Sequence, residues 1–161
     1  MQHSLESGNQ PVIVDAAVPA PQFQELWFVL QRNAWASLVV VPADEGSSAA
    51  WVAHWVAAVG AGLHDPPVRA VVAEDLDFNA AARLAASLTS AGGGGPRGPV
   101  CTGQVIVAIG PVVAQPLAIA VARAADAVIL CVEVGKTRIA SARRTIDLIG
   151  ADRFVGCLML T

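Results

Sequence analysis

The chain of 161 residues has no tyrosine, little charge and few cysteines. Only 14% of its residues are charged and 55% are hydrophobic, which excludes disorder for most of its length. The net charge of −3 leaves no basic surface of the kind that nucleic acid requires. Cys101, Cys131 and Cys157 form no C-x-x-C pair, so neither a metal site nor a disulfide framework is indicated. With no signal peptide recognisable at the start, a reduced, cytoplasmic setting is predicted.

Two long stretches without charge, residues 46–64 and 98–122, raise the question of a membrane span. A spanning helix needs roughly 20 continuous apolar residues. The first stretch contains polar side chains, and the second is interrupted at Gly110-Pro111 and at Gln115-Pro116, which break a helix. Both are better explained as the buried strands and helices of an α/β core.

Short apolar runs alternate with alanine-rich helical segments through most of the chain. Residues 1–21 are predicted to form a flexible arm and residues 22–161 a single domain. The alternation predicts an α/β fold, a doubly wound, mostly parallel sheet of about five to six strands. The predicted helices cover 23–34, 47 or 48 to about 61, 79–90, 116–124 and 136–149, and the predicted strands cover 38–41, 68–73, 104–109, 127–132 and 154–160. The glycine-rich segment 92–99 is predicted to be a loop.

The loop between the first strand and the next helix is where such a fold binds its ligand. A phosphate-binding loop reads G-x-x-x-x-G-K-[S/T], whereas this loop reads V-P-A-D-E-G-S-S-A. Gly46 precedes the lysine position, Ser47 fills that position, and Ser48 keeps the hydroxyl. Asp44 stands where a glycine is expected, and with Glu45 it would repel a triphosphate. In the simplest interpretation, Ser47 or Ser48 caps the helix.

The order of these motifs is similar to that of a known family. Residues 105–112 read V-I-V-A-I-G-P-V and residues 125–138 read A-D-A-V-I-L-C-V-E-V-G-K-T-R. They resemble the I-I-I-D-T-P-P-V and A-D-G-V-L-L-V-V-R-x-G-x-T motifs of bacterial tyrosine kinases of exopolysaccharide and capsule export, which are P-loop kinases related to the Min-type ATPases. The resemblance covers roughly residues 22–161 and implies a P-loop NTPase-like fold. Weaker matches lie at residues 25–33, 41–49, 73–77 and 155–160.

The departures from this family all affect the chemistry of phosphoryl transfer. The loop lysine is replaced by Ser47, and the metal-side aspartate of the third motif is replaced by Ala108. Ala73 replaces the carboxylate that begins the second motif, of which only Asp75 is in place. Because phosphoryl transfer depends on lysine and Mg²⁺ for electrostatic stabilisation, the resemblance implies a degenerate member with no catalytic residue, metal or cofactor. Nucleotide binding is predicted to be weak or absent.

The resemblance further implies a kinase-like protein without kinase activity, acting by protein–protein binding in exopolysaccharide biosynthesis or export. Its partner would be a membrane polysaccharide co-polymerase or an export component, which would hold the chain at the inner face of the membrane. One alternative is an adaptor or regulator of a Min-type P-loop ATPase, and another is an enzyme with an unrecognised pocket. A receiver-like signalling domain is the remaining alternative, suggested by Glu74-Asp75 and Asp77.

Large aromatic side chains on the first two helices suggest an interaction surface. Two helices of a small domain cannot easily bury four large aromatic side chains, those of Trp27, Phe28, Trp51 and Trp55. A homodimer or a stable protein partner is therefore expected, although core packing of these tryptophans is an equal alternative. The family's ring-forming arginines are absent, so a ring is not expected.

Gly135-Lys136-Thr137 looks like the end of a phosphate loop. It has no glycine five residues upstream, however, and is predicted to open the fifth helix as a cap or solvated turn.

Overall fold

The alternation of apolar runs and alanine-rich segments folds as strands and helices in turn. The computed structural model describes residues 20–47, 49–63, 67–92 and 103–161. The helices are α1 Pro21–Leu30, α2 Ala50–Leu63, α3 Phe78–Gly92, α4 Ala118–Ala124 and α5 Ile139–Ile149, with a 3₁₀ turn at Ala151–Arg153. The strands are β1 Ser37–Pro42, β2 Arg69–Ala73, β3 Val105–Ile109, β4 Ala127–Glu133 and β5 Phe154–Leu160.

All five strands are parallel and lie in the order β2-β3-β1-β4-β5. One apolar core layer packs α1 and α2 on one face of the sheet, and a second layer packs α3, α4 and α5 on the other face. The predicted doubly wound α/β fold is thereby confirmed, with five strands and a sheet that is wholly parallel. Receiver domains use the flavodoxin-like order 2-1-3-4-5, so the observed strand order argues against the receiver alternative.

Strand β1 lies at the centre of the sheet, and each of its six residues is buried. A continuous run of leucine and valine suits this position because a central parallel strand is covered by helices on both faces. At its amino end, the Asp126 carboxylate accepts the backbone N–H groups of Ala36 at 2.8 Å and Ser37 at 3.0 Å. The aspartate of the A-D motif therefore anchors the start of β1, at the edge of the sheet opposite the phosphate-loop position.

Four of the five predicted helix starts differ from the structure by two residues or more, α3 being the exception, and α1 ends at Leu30 instead of residue 34. Helix α2 begins at Ala50, not at Ser47 or Ser48, and α5 begins at Ile139, not at Lys136. In α5 the cause is Arg138, whose extended backbone (φ −78°, ψ 132°) makes it the residue that precedes the first helical turn. Residues 1–19 of the predicted arm (1–21) and most of the predicted glycine-rich loop lie outside the described residues, whereas Pro21, assigned to the arm, begins α1. No helix within the described ranges is both long enough and apolar enough to cross a membrane.

The aromatic side chains of α1 and α2 divide between core and surface. Trp27 is 2% exposed and meets Trp35 edge-to-face, with ring centroids 6.0 Å apart. Phe28 and Trp51 are 61% and 43% exposed, and Trp55 is half-buried. The expectation that these helices leave apolar bulk at the surface therefore holds for Phe28 and Trp51 but not for Trp27, which is a core residue.

Trp27 fits over α2 because residue 60 has no side chain. A Cβ atom at Gly60 would lie 2.6 Å from the Trp27 ring and 2.7 Å from Val68, so both would have to move. We expect Gly60→Ala to lower the free energy of unfolding by about 1–3 kcal/mol, the usual cost of overpacking. The measurement is urea denaturation followed by circular dichroism.

Gly62 in the same helix provides the matched control. A Cβ there meets nothing within 4 Å, so Gly62→Ala should raise the free energy of unfolding by up to about 1 kcal/mol because alanine favours helix over glycine. Equal effects of the two substitutions would show that the Trp27 contact does not constrain this helix.

Candidate functional site

The crevice at the carboxyl ends of β1, β3 and β4 is the candidate site. After β1 the chain passes to α2 on one face of the sheet, whereas after β3 and β4 it passes to α4 and α5 on the other face. Ligands of open α/β sheets bind at such a reversal, beyond the carboxyl ends of the strands. The loop after β1, described at residues 43–47 and 49, is the phosphate-loop position of this fold.

The loop leaves β1 along its neighbour β4 before turning away. Ala43 is buried, and its N–H donates to the Cys131 carbonyl at 3.0 Å, extending the β1–β4 pairing by one residue. Gly46 then adopts a φ of +83°, a left-handed conformation that favours glycine. These two constraints direct the Asp44 and Ser47 side chains towards the segment that joins β4 to α5.

Asp44 caps the amino end of α5. Its Oδ2 accepts the backbone N–H of Arg138 at 2.6 Å, and its carboxylate also accepts the Ser141 hydroxyl. A carboxylate there satisfies an unpaired backbone donor and interacts favourably with the helix dipole. The bond from Ser141, aided by the Arg138 backbone and charge and opposed by partial burial, holds the pKa of Asp44 below its usual value.

Ser47 fills the lysine position and contacts the end of β4. Its hydroxyl donates to Oε2 of Glu133 at 3.0 Å, and Glu133 also forms an ion pair with Lys136. The predicted capping of α2 by Ser47 is therefore replaced by a bond across the crevice. Two hydrogen bonds lower the pKa of Glu133. The bond from Lys136 has the larger effect and the bond from Ser47 the smaller. Lys136 is 74% exposed, so its ion pair is screened by solvent.

The Gly135-Lys136-Thr137 turn positions Glu133. Thr137 Oγ1 accepts the Glu133 N–H at 2.8 Å, and the backbone N–H groups of Lys136 and Thr137 both donate to the Glu133 carbonyl. The predicted solvated turn is thus confirmed here, but it precedes α5 and does not open it.

Two shallow clefts flank the loop. Their volumes of about 300 and 310 Å³ lie at the low end for small-molecule sites. Asp44 and Glu45 line the first cleft, whereas Gly46, Ser47 and Asp75 line the second. The first cleft is completed by Val113, Lys136, Arg138 and Ser141, and the second by Glu74, Gly110, Pro111 and Gln115.

The replaced motif positions do not converge on these clefts. Ala108 is fully buried among the apolar residues that pack against α2, and Ala73 is half-buried in the opposite core layer. Asp75 is exposed and faces the cleft of Gly46 and Ser47. Ser48 lies outside the described residues. Within the part of the chain that the structure describes, no three histidine, cysteine or acidic side chains are grouped to hold a metal ion.

Sequence reasoning missed three residues that complete this arrangement, Glu133, Arg138 and Ser141. Their contacts with the loop join residues 86 positions (Ser47 and Glu133), 94 positions (Asp44 and Arg138) and 97 positions (Asp44 and Ser141) apart. One signal was available, since the carboxyl ends of adjacent parallel strands must meet at one edge of the sheet. Using it required knowing that β1 and β4 are neighbours, which periodicity does not reveal.

Comparisons of the chain with protein-family models and with curated proteins found no match.

The chemistry available at this edge differs from that of a phosphate site. Carboxylates of Asp44, Glu45, Asp75 and Glu133 lie around the loop, and Lys136 is already engaged by Glu133. A phosphate brought to the Gly46 turn would meet these negative charges in place of a lysine. The arrangement is suited to holding the loop against α5 and to presenting an acidic edge.

We expect Asp44→Ala to lower the free energy of unfolding by about 1 kcal/mol, the typical cost of losing a helix cap. Asp44→Asn should retain most of that stability because asparagine caps nearly as well. Glu45→Ala changes the exposed neighbouring carboxylate and should alter stability by less than about 0.5 kcal/mol. Thermal and urea denaturation at pH 7 measure all three.

The effect of Asp44 should also depend on pH in a definite direction. Its pKa is lower in the folded chain than in the unfolded chain, so its charge stabilises the fold above its ordinary pKa of about 4. That stabilisation is lost as the pH falls through the lowered value. The stability difference between Asp44→Asn and the wild type should therefore shrink below about pH 4, and a difference independent of pH would contradict the assignment.

An aspartate at position 108, where the resembled family has its metal-side carboxylate, should not create a metal site. Ala108→Asp would place a charge at a position with no exposed surface, surrounded by apolar residues. We expect it to lower the free energy of unfolding by about 3 kcal/mol or more, the cost of an unpaired buried charge. Wild-type stability of this variant, measured by denaturation with and without Mg²⁺, would contradict this account of position 108.

Proposed function

We propose that the chain is a non-catalytic relative of P-loop kinases that acts by binding another protein. The observation that carries the proposal is that side chains at the phosphate-loop position bond to other parts of the same chain. Asp44 caps α5, and Ser47 bonds to Glu133. The side chain at the lysine position is thereby turned to Glu133, and a carboxylate at position 44 adds negative charge where a phosphate-binding loop has glycine.

The setting proposed from the resemblance is a polysaccharide synthesis or export apparatus at the cytoplasmic side of the membrane. In this setting the acidic loop forms one edge of the docking surface for a membrane co-polymerase or export component. Val113 and Ile139 near the loop are 37% and 72% exposed and offer apolar contact beside the carboxylates. A partner segment that combines basic and apolar side chains would complement this surface.

The nucleotide component of the proposal is tested by calorimetry. We expect titration with MgATP or MgADP to give no dissociation constant in the low micromolar range, because no free lysine faces the Gly46 turn. The matched variant combines two substitutions. Ser47→Lys supplies the missing lysine, and Glu133→Gln removes the carboxylate that contacts position 47. Low-micromolar binding by the wild type, or nucleotide retained through purification, would contradict the proposal.

The partner component is tested by capture from cell extract with the chain as bait. We expect recovery of a polysaccharide export component by the wild type, a reduced recovery by Glu45→Arg at the loop, and no reduction by Glu25→Arg on α1. Both substitutions replace an exposed carboxylate with a positively charged guanidinium, so the change in charge is the same. If no export component is captured and deleting the gene leaves surface polysaccharide unchanged, the polysaccharide setting is wrong.

The competing function is an adaptor of a Min-type P-loop ATPase without a link to polysaccharide. This alternative also rests on the absence of a loop lysine. It differs from the polysaccharide proposal only in the identity of the partner. Recovery of such an ATPase in the same capture experiment, sensitive to Glu45→Arg, would favour this alternative.

A further inference from the structure

We draw no further inference here: the strongest candidate, the cleft lined by Gly46, Asp75 and Gln115 at the carboxyl ends of β1, β2 and β3, belongs to the site already described, and although the Gln115 Oε1 has no hydrogen-bond partner within the described part of the chain, that atom is closed off from solvent and so points to no ligand.

Discussion

The complete burial of β1 is the constraint on which the rest of the structure depends. A strand without an exposed residue needs a neighbour on each side and a helix layer on each face, and β3, β4 and the two helix layers provide them. Its amino end is fixed by Asp126 and its carboxyl end by the Ala43 bond to Cys131. The loop that follows must therefore emerge between the ends of β3 and β4, where α5 begins.

This position determines what the loop can do. In a phosphate-binding protein of this plan, the loop surrounds an anion that is not part of the chain. Here its carboxylate, Asp44, reaches the amino end of α5, so the helix terminus that attracts anions receives one from the same chain. Ser47 and Glu133 make a second bond across the crevice. The loop is thus held by contacts within the chain, at α5 and at Glu133, and binding of a protein is the function proposed for its acidic edge.

The sequence predicted the type and order of the elements because each β-branched run is separated from the next by a distinct helical segment. It did not predict which strands are neighbours, since a buried parallel strand has the same pattern wherever it lies in the sheet. The contact of Asp44 with Arg138, 94 residues away, was inaccessible for that reason. The start of α5 was missed because it depends on the extended backbone of Arg138, whose N–H donates to the distant Asp44. Trp27 and Phe28 are adjacent in sequence, but the helical spacing of Phe23, Leu26, Trp27 and Leu30 already places Trp27 on the apolar face, and the structure buries it there.

The central claim is that Asp44 holds its loop on the amino end of α5. A double-mutant cycle on Asp44 and α5 tests this claim most directly. Asp44→Ala, Ser141→Ala and the combined variant would be compared with the wild type in free energy of unfolding at pH 7. Because the Ser141 hydroxyl donates to the Asp44 carboxylate, the two effects should be non-additive, with a coupling of about 0.5–1 kcal/mol. Effects that add to within about 0.3 kcal/mol would contradict the account, since the Ser141 side chain on α5 would then contribute nothing through the Asp44 carboxylate.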